Sequence, residues 1–162
     1  MHLESKSSLQ NEIVFPAVDM EAMERVANAI ANTAMSGQII RLNGDLGAGK
    51  TTLTQLIARA FGINEIVASP TFTLQKIYPL EKPLRGIETF LHYDLYRIKD
   101  WDEVVDVGLF DLSEHAVTIV EWAERFNRWS PDTSEIRLSY ISEHTRALIL
   151  RNFPISITDK IL

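Results

Sequence analysis

The feature that most restricts how this chain can fold is the glycine-rich stretch NGDLGAGKTT at residues 43–52. Residues 44–51 satisfy the pattern G-x-x-x-x-G-K-[ST] without a mismatch, and they lie between a short apolar run (38–42) and an amphipathic run (50–61). Glycines allow positive φ angles, so successive backbone N–H groups can point inward, and the amino end of the next helix adds positive charge. We therefore predict a strand–loop–helix unit that binds nucleotide phosphates, rather than a turn that caps a helix by chance.

Side chains within and beyond this loop are candidates for the chemistry. We expect Lys50 to reach the β- and γ-phosphates and the Thr51 hydroxyl to bind Mg²⁺. An acidic residue at the end of a neighbouring strand usually completes such a site, and Glu121 and Asp94 each end an apolar run. Ligands gather at the carboxyl ends of buried strands, so we predict function for both rather than two solvated carboxylates. Glu121 would hold the metal, and Asp94 would be a second metal-shell ligand or orient the attacking water.

The segment SPTF at residues 69–72 leaves two interpretations open. In nucleotide switches, a threonine in this region, here Thr71, closes over the γ-phosphate and Mg²⁺. Alternatively, Pro70 simply holds Ser69 in an extended conformation within an ordinary turn.

Two other conspicuous side chains have plainer interpretations. We interpret His92 as a structural histidine, because no cluster of His, Asp and Glu has the spacing of a zinc site. Trp122 is predicted to be a packing residue, although its place directly after Glu121 would let it report on nucleotide binding.

The periodicity of the whole chain predicts an α/β protein. Helices are expected at about 20–34 (with Asp19 as N-cap), 50–61 (with Gly62 as C′ residue) and 101–107, and strands at 12–15 (stopped by Pro16), 38–42, 74–78, 89–96, 116–120, 134–141 and 146–150. Helices flank the early strands, but the strands either side of the loop at 79–86 and the terminal pair have no crossover helix. We therefore predict a P-loop NTPase-like, three-layer domain with a mixed sheet, parallel at its core with antiparallel additions.

Length and composition set further limits. The 162 residues suit one domain, predicted to span 12–162, after a polar and frayed segment at 1–11. Cysteine is absent, which excludes disulfides and thiolate metal sites. No apolar run approaches the length needed to span a bilayer, so we expect no membrane association and a cytoplasmic location.

The charge distribution argues against a nucleic-acid-binding surface. The formal net charge is −6, and lysine and arginine form no dense block. A protein that grips a nucleic-acid backbone usually has a basic stripe. Tight direct binding of DNA or RNA is therefore disfavoured, whereas a partner that brings the nucleic acid is compatible with the sequence.

Several classes of nucleotide-binding protein compete at this point. A small GTPase is a poor match, because the D-x-x-G and N-K-x-D motifs are missing. A small-molecule kinase is a better rival in size, but scattered arginines and the lack of a lid-like insertion disfavour it. A nucleotide-sensing module without useful catalysis also fits these residues.

Four motifs in series resemble one family. GDLGAGKTT at 44–52, SPTF at 69–72, HYDLYR at 92–97 and EW at 121–122 follow in the order and spacing of the TsaE (YjeE) family. WDEVVDVG at 101–108 is also similar to that family's short acidic helix ending in glycine. The resemblance covers residues 12–151.

The resemblance implies a function in tRNA modification. TsaE is the ATPase of bacterial tRNA threonylcarbamoyladenosine biosynthesis, slow in isolation, and it binds the TsaB and TsaD proteins. Together these proteins modify N6 of adenosine 37 in tRNAs that read codons beginning with A. This agrees with the acidic chain above, since tRNA would be met only indirectly, through the complex.

The resemblance also implies roles for individual residues, with ATP and Mg²⁺ as cofactors. Lys50 would contact phosphates, Thr51 and Glu121 would hold Mg²⁺, and Asp94 and Thr71 would lie at the reacting end. The loop residues expected to bind ATP are Asp45, Leu46, Gly47, Ala48, Gly49, Lys50, Thr51 and Thr52. The family's N-terminal segment helps to hold the base, which here indicates residues 15–23 as a region. An arginine that speeds hydrolysis would be Arg97 or a partner's residue.

Overall fold

The computed structural model describes residues 11–70, 73–111 and 114–161. The predicted frayed segment therefore lies outside the described residues, apart from Asn11. The strands of the described chain are β1 (Glu12–Val18), β2 (Ile39–Asn43), β3 (Gln75–Leu84), β4 (Ile87–Asp94), β5 (Ala116–Glu121), β6 (Ser134–Tyr140) and β7 (Arg146–Arg151). Its helices are α1 (Met20–Thr33), α2 (Lys50–Ala60), α3 (Trp101–Asp106) and α4 (Thr158–Ile161), with 3₁₀ turns at Ala123–Arg125 and Ile155–Ile157.

The strands form one mixed sheet in the order β1-β7-β6-β2-β5-β4-β3. Neighbouring strands from β6 to β4 are parallel, whereas β3, β7 and β1 join as antiparallel additions. Crossovers that include helices connect the parallel strands, and hairpins connect β3 to β4 and β6 to β7. The predicted P-loop NTPase-like α/β architecture is confirmed.

Proline-containing segments are where the predicted strand boundaries were wrong. Pro16 does not stop β1, which continues to Val18, and the expected loop at 79–86 is mostly strand, since β3 runs to Leu84. Both strands lie at the edges of the sheet, where a residue without an N–H breaks no essential ladder bond. The connection is instead a two-residue turn, Arg85–Gly86, in which both residues have positive φ, as tight hairpins require.

Buried apolar side chains of the described residues form a cluster on each face of the sheet. The cluster under α1 and α2 includes Val26, Ile30, Ile40, Leu42, Leu53, Ile57 and Ile119. The cluster on the opposite face, beside α3, includes Leu91, Tyr93, Leu95, Val104, Leu109 and Val120. Helices thus cover the two faces, as the predicted three layers require.

The alternation of side chains along β4 and β5 determines which residues lie at the carboxyl ends of these inner strands, where the candidate site is expected. On β4, Leu91 and Tyr93 face the α3 layer, which leaves His92 and Asp94 on the α2 side, as their alternation predicted. Every residue of β5 is buried, as its apolar run predicted, and it ends at Glu121. None of the helices in the described part of the chain has the length and apolar character needed to cross a membrane.

Candidate functional site at the phosphate loop

The phosphate loop joins β2 to α2 through three glycines with positive φ. Gly44, Gly47 and Gly49 have φ angles of 148°, 79° and 105°. A Cβ on Gly44 would lie 2.5 Å from the carbonyl oxygen of Leu138, so the loop start has no room for a side chain. Gly49 is the N-cap of α2 and provides no side-chain cap, which leaves the first N–H groups of the helix available to an anion.

Lys50 crosses this loop from the first turn of α2. Its Nζ donates hydrogen bonds to the carbonyl oxygens of Gly44 and Asp45 and lies 3.6 Å from the centre of the Trp122 ring. Burial lowers the pKa of the Lys50 ammonium, and the nearby carboxylates, Glu124 first among them, oppose that shift. The structure thus holds a partly desolvated cation beside the loop amides, which suits it to a phosphate.

Glu121 lies at the carboxyl end of β5, next to the helix that follows the loop. Its Oε2 accepts a hydrogen bond from the Thr51 hydroxyl at 3.0 Å, and only 2% of the residue is exposed. A hydroxyl that donates its hydrogen to a carboxylate keeps its lone pairs for a cation. Hydroxyl and carboxylate oxygens are the ligands that Mg²⁺ prefers, so these residues fit that ion.

Within the described residues, no group of three or more His, Cys, Asp or Glu side chains is arranged to hold a metal by itself.

Asp94 ends β4 and pairs in register with Glu121. One of its carboxylate oxygens accepts a hydrogen bond from the Ser69 hydroxyl, and the other accepts one from the backbone N–H of Tyr96 at 2.9 Å. The structure therefore brings Asp94 and Glu121 to the same edge of the sheet, together with Ser69. Thr71, predicted at the reacting end, lies outside the described residues.

These groups line a cavity of about 390 Å³. Its walls are formed by Leu46, Gly47, Gly49, Lys50, Thr51, Thr52, Ser69, Asp94, Tyr96, Glu121, Trp122 and Arg146. Asp45 contributes its carbonyl oxygen to Lys50, and the buried Ala48 contributes its own to Arg146. The predicted site residues that the structure describes thus meet at this cavity or in the loop beside it.

An adjoining cavity of about 350 Å³ lies beside the start of α1. It shares Gly49, Thr52 and Arg146 with the first cavity, and it adds Asp19, Met20, Glu21, Met23, Glu143 and His144. This is where part of the region 15–23, expected to hold a base, meets the phosphate loop. A wider cavity of about 940 Å³ lies at the opposite end of β2 and β6, away from the phosphate loop.

Sequence reasoning missed Arg146 and Glu124. Arg146, the first residue of β7, donates from Nε to the Ala48 carbonyl at 2.9 Å and borders both cavities. Glu124 accepts a hydrogen bond from the Gly44 N–H at 2.9 Å. Neither residue belongs to a motif of its own, so only the β6–β7 hairpin and the turn after β5 reveal their positions.

A phosphate loop at the carboxyl edge of a parallel core, with a strand-end carboxylate beside its Thr, defines the P-loop class of α/β proteins. The family described as "Threonylcarbamoyl adenosine biosynthesis protein TsaE" matches residues 17–148. The chain belongs to the TsaE family.

Individual relatives agree with that assignment. A protein named tRNA threonylcarbamoyladenosine biosynthesis protein TsaE from Bacillus subtilis (strain 168) is 37% identical over 121 residues, 74% of this chain and 72% of the relative. A protein of the same name from Nostoc sp. (strain PCC 7120) is 34% identical over 149 residues, 88% of each chain. The crystal structure of YdiB from Bacillus subtilis superposes with a TM-score of 0.68 at 27% identity, covering 96% of this chain and 97% of that one.

Proposed function

We propose that this protein binds ATP with Mg²⁺ and hydrolyses it, slowly alone and faster with TsaB and TsaD, in the cytoplasm. The hydrolysis supports formation of the threonylcarbamoyl group on N6 of adenosine 37 in tRNAs that read ANN codons. The observation that carries the proposal is the 3.0 Å hydrogen bond from the Thr51 hydroxyl to Glu121, directly behind the phosphate loop. Family membership supports the proposed role in tRNA modification, since the relatives are named for threonylcarbamoyladenosine biosynthesis.

Binding of the triphosphate follows from the loop itself. Backbone N–H groups of residues 45–51 would surround the phosphates, and Lys50 would exchange its loop carbonyl partners for phosphate oxygens. The exchange would be favourable, because the negative charge of a phosphate compensates the burial that lowers the pKa of Lys50.

Hydrolysis requires charge neutralisation and a placed water. Mg²⁺, when bound, would neutralise charge that develops on the β- and γ-phosphates, and Thr51 and Glu121 would hold it. Asp94 would accept a hydrogen bond from the water that attacks the γ-phosphorus, while the bond to the bridging oxygen of ADP breaks. The products are ADP and inorganic phosphate, so no acceptor metabolite is needed.

Partner dependence accounts for how an acidic chain acts on tRNA. With a net charge of −6, the chain has little electrostatic attraction for an RNA backbone. TsaB and TsaD would therefore carry the tRNA contacts, and the ATPase would act on their complex.

The direct test measures phosphate release by the purified protein with ATP and Mg²⁺, with and without TsaB and TsaD. We expect release to rise when both partners are present, and tRNA from cells lacking the gene to lack the modification. The matched variant Arg137→Gln, on the exposed part of β6, should behave like the wild type. Partner-independent turnover with fully modified tRNA, or transfer of labelled phosphate to a metabolite as in a kinase, would contradict the proposal.

A further inference from the structure

The two carboxylate oxygens of Glu121 lie in different surroundings. Oε2 accepts the Thr51 hydrogen bond at the wall of the phosphate cavity. Oε1 lies among interior groups, 3.1 Å from Thr54 Oγ1 and 2.8 Å from His92 Nε2. Thr54 and His92 both have 0% exposed surface. One oxygen of the carboxylate is therefore held by the protein interior, and the other faces the cavity.

His92 is the donor on which Oε1 chiefly depends. The Thr54 hydroxyl has one hydrogen and two acceptors within reach, Glu121 Oε1 and the Lys50 carbonyl at 3.0 Å. That single hydrogen cannot fully satisfy both acceptors. The His92 contact is shorter, and because an ionised carboxylate only accepts hydrogen bonds, Nε2 carries the hydrogen in it.

Within the described part of the chain, this bond is also the one polar contact of the imidazole. Among the described residues, Nδ1 of His92 has no hydrogen-bond partner, although the side chain is fully buried. A side chain that served only to fill space would do so better without a polar nitrogen to bury. The geometry therefore ties the identity of residue 92 to the carboxylate of Glu121.

The two hydrogen bonds to Glu121 Oε1 join three elements at the carboxyl ends of the central strands. Glu121 ends β5, His92 lies on the neighbouring strand β4 and Thr54 lies on α2. A glutamate has three rotatable side-chain bonds, and fixing them costs conformational entropy. A carboxylate fixed before the ligand arrives does not incur that cost during binding.

We propose that His92 is a positioning residue, whose Nε2–H holds Oε1 so that Oε2 and the Thr51 hydroxyl face the cation of a bound nucleotide. The inference rests on the proposed function, because it concerns the Mg²⁺ site assigned there. It refines the sequence-based interpretation of His92 as a structural histidine, because the side chain would support a carboxylate of the metal site.

Two near-isosteric substitutions separate positioning from packing. Glutamine places an N–H donor close to the position of imidazole Nε2, whereas asparagine places one close to Nδ1. His92→Gln should therefore keep the bond to Glu121, and His92→Asn should lose it. Thr118→Val is the control, since Thr118 is a buried residue of β5 whose hydroxyl has no hydrogen-bond partner among the described residues.

The experiment uses the full chain and Mn²⁺ as a probe for the Mg²⁺ site. Electron paramagnetic resonance would measure Mn²⁺ affinity in the presence of a non-hydrolysable ATP analogue, and equilibrium dialysis in EDTA would measure analogue binding without metal. We expect His92→Asn to weaken Mn²⁺ binding about 10-fold or more, with His92→Gln recovering most of that loss. Metal-free analogue binding should remain unchanged in both variants, and Thr118→Val should match the wild type.

Equal Mn²⁺ affinities for the Gln and Asn variants, or parallel losses of metal and metal-free analogue binding, would overturn the proposal. If His92→Asn fails to fold, His92→Gln is compared with His92→Leu, which has no hydrogen-bond donor. We then expect His92→Leu to weaken Mn²⁺ binding about 10-fold or more and His92→Gln to preserve it; equal affinities in these two variants would overturn the proposal. A wild-type protein that binds no Mn²⁺ with the analogue would contradict the proposed function, whereas tight wild-type binding with unaffected variants would contradict only the role of His92.

Discussion

The ammonium nitrogen of Lys50 lies 3.6 Å from the centre of the Trp122 ring, joining the first residue of α2 to the turn after β5. Trp122 has a φ of 59°, a left-handed conformation that costs a residue with a side chain about 1–2 kcal/mol. The Tyr96 ring packs against the indole at 4.9 Å between centroids. The ammonium group that we propose to bind phosphate thus rests against a tryptophan.

This contact predicts a fluorescence signal for nucleotide binding. Phosphate should draw the Lys50 ammonium away from the indole, because a phosphate attracts it more strongly than a ring face does. We expect tryptophan emission to change when ATP and Mg²⁺ are added to the wild type or to Trp129→Phe. Emission of Trp122→Phe should stay unchanged after the same addition. A full signal in Trp122→Phe would show that the reporter lies elsewhere.

Arg146 should contribute to nucleotide affinity. Its guanidinium borders both the phosphate cavity and the cavity beside α1, and Nε holds the Ala48 carbonyl of the loop. Replacing it with glutamine removes a charge-assisted contact worth about 1.5–3 kcal/mol, so Arg146→Gln should weaken ADP and ATP binding about 10-fold or more. Calorimetric titration measures this, with Arg137→Gln as the matched exposed control. Unchanged affinity in Arg146→Gln would remove it from the site.

The close approach at Gly44 makes a stability prediction. A methyl group there would meet the Leu138 carbonyl oxygen at 2.5 Å, whereas one on Gly47 has nothing within 4 Å. Both positions have positive φ, so both substitutions strain the backbone, but only the first also forces the loop away from β6. Gly44→Ala should lower the free energy of unfolding by about 2 kcal/mol or more, and Gly47→Ala by about 1 kcal/mol. Urea unfolding of the two variants decides this, and equal losses would contradict the steric argument.

Much of this architecture could be predicted from the sequence, because helix caps and terminating glycines depend on residues that are neighbours along the chain. Asp19 does cap α1 by accepting a hydrogen bond from the Ala22 N–H, and Gly62 does follow α2 with a positive φ. The expected ends at Pro16 and within 79–86 were wrong, because whether a strand lies at a sheet edge depends on pairing that its own residues do not encode.

Some residues of the candidate site could likewise be predicted from nearby sequence, whereas others depend on how distant strands pair. Lys50 and Thr51 are fixed by a contiguous motif, and Glu121 by the end of a buried run. Arg146 reaches the loop across 98 residues of chain through the β6–β7 hairpin, so no window of sequence around the loop contains it. The partnership of His92 with Glu121 likewise depends on β4 and β5 being neighbours in parallel register.

The central claim is that Thr51 and Glu121 bind the cation, whereas Lys50 binds the phosphates. It is tested most directly by comparing Mg²⁺-dependent ATP hydrolysis, with TsaB and TsaD present, against ATP binding in Thr51→Ala, Glu121→Ala and Lys50→Ala. We predict that the first two variants lose about 100-fold in hydrolysis with a much smaller loss of binding, and that Lys50→Ala loses both. Equal loss of ATP binding in all three variants would contradict the account.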